Sequence, residues 1–125
     1  MREILFRGKR TDNGEWVQGC FVSYSDYDDD KVNLIFSSNG NPNTVIPETV
    51  GQYTGLTENG KKIFEGDICK HRSNYSGDFV ISIVTYTDGQ FLSMADNNSG
   101  FNLSDKLEVI GNVHDNPELL KGEGR

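Results

Sequence analysis

The dipeptide Asn59-Gly60 constrains this chain more than any other feature. A type I′ turn needs positive φ at both central positions, and Asn followed by Gly tolerates this best, so the pair signals a two-residue hairpin. It sits inside Glu48 to Ile68, ETVGQYTGLTENGKKIFEGDI, where turn and apolar residues alternate and Gly51, Gly55 and Gly66 add backbone freedom. Val50 to Leu56 is expected to pair with Lys61 to Phe64 across the turn, and Gly66-Asp67 to open a new strand, Ile68 to Arg72. This stretch is the expected structural centre of a small β-rich domain.

Similar punctuation divides the rest of the chain. Glu3 to Lys9 and Glu15 to Tyr24 read as strands joined at Asp12-Asn13-Gly14, with Trp16, Gln18, Cys20 and Val22 on one face and Val17 and Phe21 on the other. Asp26 to Asp30, with Tyr27 inside it, reads as a charged loop before the apolar run Val32, Leu34, Ile35, Phe36. Asn39-Gly40-Asn41-Pro42-Asn43 reads as a loop, and Val45-Ile46 as a short strand ended by Pro47.

Beyond the centre, Ser73 to Asp78 is turn-like, and Phe79 to Tyr86 is the strongest strand, with apolar residues on both faces. Asp88-Gly89 turns it back into Phe91 to Met94. Asp96 to Ser104 reads as a polar loop carrying Phe101 and Leu103, and Leu107 to Val113 as the last strand. Asn116-Pro117-Glu118 supplies an N-cap residue, a first-turn Pro and an early acid, so a helix of one or two turns is expected before Gly122 and Gly124. The expected fold is mainly β: antiparallel strands, a small SH3-like barrel unit around residues 61 to 94, and a short C-terminal helix.

With 125 residues the chain has ordinary single-domain size, and one domain over 1–125 is expected. A net charge of −7 argues against nonspecific nucleic-acid binding, because a duplex is held mainly through phosphate neutralisation by Lys and Arg. Cys20 and Cys69 lie far apart without a CxxC pair and read as buried thiols. With no secretion signal and no apolar run near the roughly 20 residues that a membrane helix needs, a cytoplasmic location in the host is expected.

Four groupings have the residue types for chemistry. Asp26, Asp28 and Asp30 have the 1, 3, 5 spacing of a calcium loop, but Lys31 and Ser37 stand where that motif needs Gly and Glu, so a solvated acidic loop is preferred. Cys69 and His71 can share a strand face, but a zinc site needs more ligands than Cys20 and His114 supply in any known spacing. Glu65 and Asp67 flank Gly66 and could serve as acid and base or hold magnesium. The simpler reading has Asp67 accepting backbone hydrogen bonds in the turn. Arg7, Lys9 and Arg10, with Lys70, His71 and Arg72, could hold nucleic acid if Phe79, Tyr86 and Phe91 were free to stack bases. Trp16 reads as a core or subunit-contact residue. No P-loop, GxSxG, HExxH or Rossmann fingerprint occurs.

Three segments carry a family resemblance: Phe6 to Arg10 with Asn13 to Val17; Thr49 to Gly55 with Asn59-Gly60 and Glu65 to Ile68; and Glu108 to Asn112 with Asn116 to Leu120. In this order they resemble the YopX family of small phage and prophage proteins. The resemblance implies a phage context and a β-rich fold, and it brings no established catalytic, cofactor or metal-binding residues. The expected function is therefore that of a noncatalytic accessory protein acting through contacts with a host or phage protein or through self-assembly. A nucleic-acid-binding module using Lys70 and Arg72 is the alternative, and a metal-dependent hydrolase using Glu65 and Asp67 the least favoured.

Overall fold

The computed structural model describes residues 3–72, 79–87, 89–95, 100–103 and 107–121, without the side chains of residues 72, 100–102 and 121. The expected turn at 73–78, Asp88, much of the 96–104 loop and the terminal glycines lie outside the described residues. The chain divides into two compact units, Met1–Tyr53 and Thr54–Arg125.

The first unit is built from β1 (Phe6–Lys9), β2 (Trp16–Ser25), β3 (Lys31–Phe36), β4 (Pro42–Thr44), a 3-10 turn at Pro47–Thr49 and the start of β5 (Gly51–Glu58). Its antiparallel order is β4-β3-β2-β1-β5. Phe6 faces Gly19 and Lys9 faces Trp16 across β1 and β2, around the expected turn. In that turn Gly14 has φ +73° and the Asn13 side chain accepts the Glu15 N–H. The second edge of β1 is shared. Phe6 and Arg7 pair with Gln52 and Gly51, while the backbone of Lys9 to Thr11 bonds the segment leaving β4: Ile46 N–H donates to Lys9 and Thr11 N–H to Thr44. β4 thereby leads back onto β1, around a core containing Ile35, Val45 and Gly8.

Two glycines set how closely these strands approach. A Cβ on Gly8 would lie 3.2–3.3 Å from Ile35, Val50 and Val45. One on Gly19 would lie 1.9 Å from the Phe36 carbonyl oxygen, closer than any side chain permits. One expectation is corrected here. Pro42 and Asn43 belong to strand β4 rather than to a loop, because Pro42 lies on a short outer strand, where Pro is tolerated, and the Asn43 amide donates to Ile35 O at 3.1 Å.

The second unit contains the rest of β5, then β6 (Lys61–Phe64), β7 (Asp67–Arg72), β8 (Phe79–Thr87), β9 (Gln90–Met94), β10 (Gly100–Asn102), β11 (Glu108–Asn112) and the one-turn helix α1 (Glu118–Lys121). β5 and β6 meet at Asn59-Gly60, with φ +52° and +81°, as a type I′ turn requires. The remaining strands form an antiparallel sheet in the order β10-β9-β8-β7-β11. The strands expected at Ile68 to Arg72, Phe79 to Tyr86 and Phe91 to Met94 are present as β7, β8 and β9, and β10 and β11 extend their sheet beyond residues 61 to 94, where a small barrel unit is expected. Among the described residues no ladder joins β10 to β11.

Ile63, Cys69, Val84 and Leu107 form this unit's buried cluster, with Leu103 and Val109 against it. Part of the expected 96–104 loop is thus corrected to strand β10, whose end carries Leu103 into the core. The strand Phe79 to Tyr86 is buried less evenly than its pattern suggests: Phe79 and Tyr86 at its two ends are exposed. Asn116 also departs from expectation. Its carboxamide oxygen accepts the Asn112 N–H at 3.2 Å and packs where a Cβ on Gly111 would be, tying the helix start to β11.

Candidate functional site

Directly opposed residues of an antiparallel pair share a face, so the register of the first unit assigns its surfaces. Phe6, Gly8, Val17, Gly19, Phe21 and Ile35 face inward, and the Phe6 and Phe21 rings lie 5.8 Å apart. The other face carries Arg7, Lys9, Trp16, Gln18, Cys20, Val22 and Tyr24, opposed by Phe36, Leu34 and Val32. Val22 is 40% and Tyr24 49% exposed, and Val32, Leu34 and Phe36 are half-buried. This is an apolar stripe on the outside of the sheet.

The stripe has unlike ends. At one, the Arg7 guanidinium lies 4.7 Å and the Lys9 ammonium 5.5 Å from the Trp16 ring centroid, a cation–π arrangement. At the other is the β2–β3 turn, Asp26 to Asp30, whose residues are all exposed, Tyr27 fully so. The two-way division of β2 was readable from alternation. Which division faces water was not, and Cys20 corrects the expectation of a buried thiol. It lies on the outer face between Gln18 and Val22, and it is exposed. The missed signal is the pairing of Val22, Tyr24, Val32 and Leu34 against inward partners as polar as Ser23 and Asn33.

The sequence-derived groupings resolve as follows. Asp26 does not reach outward for a cation with its near oxygen: Oδ1 accepts the N–H groups of Asp28 and Asp30 at 2.9 and 3.0 Å, and Asp29 takes φ +63° to close the turn. Cys69 and His71 share a strand face as expected, but Cys69 is fully buried, and burial, then the charges of Asp67 and Glu58, push its thiol up to about 12. Among the described residues no three of His, Cys, Asp and Glu gather as a cation would require. Asp67, 2% exposed, accepts the Phe64 N–H on Oδ2 at 2.8 Å across the Gly66 turn, where φ is +93°. This is the backbone role expected of it.

The basic and aromatic positions do not form one platform. Arg10 is bound by Asp12 through Nε at 3.0 Å and Nη2 at 2.6 Å. Lys70 lies 4.7 Å from the Phe79 ring centroid and 3.9 Å from Glu108. Tyr86 and Phe91 pack edge to face with centroids 4.9 Å apart, on the sheet face opposite to Phe79. The side chain of Arg72 lies outside the described residues. No helix of the described residues is long and apolar enough to cross a membrane.

Comparison with known proteins places this architecture. The chain is similar over 96% of its length, and 99% of the other's, to the crystal structure of protein EF1440 from Enterococcus faecalis, at 26% identity and TM-score 0.60. It is similar in fold to the crystal structure of protein yopX from Bacillus subtilis, at 18% identity and TM-score 0.56, covering 96% of this chain and 97% of that one. No curated protein matches it. The family model described as YopX protein matches residues 5–121, through both compact units and all three sequence segments singled out above. With strands, turns and family profile agreeing along nearly its whole length, the chain belongs to the YopX family.

Proposed function

We propose that this protein is a noncatalytic phage or prophage accessory protein, one YopX-like domain working in the cytoplasm of its bacterial host through contacts with other proteins or with copies of itself. The observation that carries this reading is the outer stripe Val22, Tyr24, Val32, Leu34 and Phe36, a contiguous apolar surface between charged ends. Contiguous exposed apolar patches mark interaction surfaces far more often than isolated apolar residues do. The carboxylates of the expected cation and acid–base groupings also support it, since Asp26 and Asp67 hold backbone N–H groups.

The test is affinity capture of the tagged chain from lysate of its host carrying the phage, with and without nuclease, beside a Val22→Asp, Tyr24→Asp variant. A stoichiometric protein, whether another protein or an untagged copy, that is held by the native chain and lost in the variant is the expected result. Retention only of nuclease-sensitive partners, or a turnover activity abolished in Asp67→Asn while the fold is kept, would count against the reading.

A further inference from the structure

The outer face of the first unit is asymmetric along its length in a way that makes it complementary to itself. From Trp16 to Asp26 is ten residues, about 33 Å of strand. Arg7 and Lys9 flank Trp16 at one end, the middle is apolar, and Asp28, Asp29 and Asp30 stand exposed at the other. A two-fold axis lying in the plane of the contact, perpendicular to β2 and passing between Cys20 and Val22, lays one copy antiparallel on the other. Apolar middle then meets apolar middle, and each acidic turn meets the partner's Arg7-Trp16-Lys9 end. Isologous contacts of this kind close after two subunits.

We propose that the outer face of β2 and β3 is a two-fold self-association surface, and that the occupant of the apolar stripe is a second copy of this chain held in register by its basic and acidic ends. This rests on the protein-contact reading above and names its partner. Charge complementarity chooses the occupant. A chain of net charge −7 repels its own copies in most orientations, and this orientation brings its acidic turns onto its basic end twice. The residues of β1, β2 and β3, at about 3.3 Å of strand and 4.8 Å of spacing each, cover roughly 300 Å², less than the roughly 800 Å² per partner of a standard stable interface. The association is therefore reversible and depends on concentration and salt.

The geometry supplies its own probe. Cys20 lies beside the axis and is exposed, whereas Cys69 is buried. Face-packed sheets lie about 10 Å apart, too far for a disulfide but within reach of an ethane-bridged bismaleimide, which adds to two thiols without an oxidant. The native chain is expected to give a covalent dimer through Cys20, rising with protein concentration and falling several-fold in high salt. Asp28→Lys with Asp30→Lys, on the exposed turn, should lower the yield several-fold, as should Lys9→Glu. Mixing the two variants should restore part of it as a heterodimer, because one end contact is then the native pair and the other sets the introduced lysines against the introduced glutamate.

Three results would overturn the proposal. One is Cys20 that reacts with a monofunctional maleimide yet gives no dimer at any concentration, with sedimentation showing a monomer. Another is a dimer indifferent to both charge variants, and the third is a mixture that fails to rescue. A monomer that still captures another protein through Tyr24 would sink self-association alone and leave the broader reading standing.

Discussion

In the first unit two glycines bring strands against backbone and apolar side chains, and in the second the tight contacts are made by short polar side chains, Asn116 over Gly111 among them. Gly8 lets Ile35, Val45 and Val50 close over β1, and Gly19 brings β2 against the Phe36 carbonyl. The second unit instead buries Asp67 under the Phe64 N–H and hydrogen-bonds Ser82 to Ser93 between β8 and β9, in a layer that includes Cys69 and Val84. Backbone contact leaves no room for an added atom, whereas a buried hydrogen bond leaves no tolerance for a lost partner. The first unit should therefore be broken by adding a methyl group, and the second by removing a carboxylate.

Gly19→Ala tests the first half and should have the largest effect. Its Cβ would overlap a backbone oxygen that cannot rotate away, so β2 and β3 must separate, at a cost of about 3 kcal/mol or more. Urea denaturation would register it, and hydrogen exchange should show the lost protection in β1 to β3. Gly8→Ala meets side-chain atoms at 3.2–3.3 Å and should cost less. Equal losses at the two positions would mean that the Phe36 approach is not what fixes this unit.

Asp67→Ala tests the second half. It strands the Phe64 N–H in a buried turn, and leaving such a group unsatisfied costs roughly 1–3 kcal/mol. Asp67→Asn keeps an oxygen acceptor at the same place and should recover part of the loss. Identical destabilisation by the two substitutions would show that the carboxylate charge, and not its hydrogen bond to Phe64, holds the turn.

The same contrast explains what could be read from the sequence. Hairpins declare themselves in turn residues, so Asn59-Gly60 and Asp12-Asn13-Gly14 gave their strands, and Gly66-Asp67 gave both its backbone conformation and the role of Asp67. Alternation divided β2 correctly into two faces. It could not say which face was inward, because Val17 and Phe21 are no more apolar than Trp16, Cys20 and Val22. That choice depends on Ile35 and Val45 arriving from β3 and the segment after β4. Pro42 and the region of Phe101 have the residues of a loop because short outer strands are fixed by their neighbours more than by their own residues. The candidate surface stayed hidden for the same reason as Cys20: exposure is a property of the assembled sheet.

Cys69 gives a smaller effect, confined to alkaline pH. Burial raises its thiol from an ordinary value near 9 to about 12. Below pH 9 folded and unfolded chains both keep the proton, so the residue contributes no pH dependence. Between 9 and 12 only the unfolded chain releases it, and stability falls as pH rises. Cys69→Val should remove that part of the alkaline slope in denaturation curves. Thiol titration of the native chain should find Cys20 reactive and Cys69 silent until denaturant is added. A reactive Cys69 in the folded chain would contradict the closed core assigned to the second unit.

Asp12 should give the smallest effect, and it sharpens the comparison because its carboxylate is exposed where that of Asp67 is buried. Two short bonds join it to Arg10, and that guanidinium holds its carboxyl below the usual range while the carboxylate raises Arg10. By sign, a lowered carboxyl contributes stability above its ordinary value and loses that contribution as pH falls through its folded value. Both side chains, however, stand in water, where screening and the entropy of holding them together cancel most of the attraction. Asp12→Asn should therefore leave the urea midpoint unchanged at pH 7 and the acid limb of the stability curve superimposable on the native one. A measurable loss would mean that the Asp12-Asn13-Gly14 turn is held by its ion pair. The Asn13 side chain and the Gly14 backbone already satisfy that turn, and Asp67 would then differ from Asp12 in degree, not in kind.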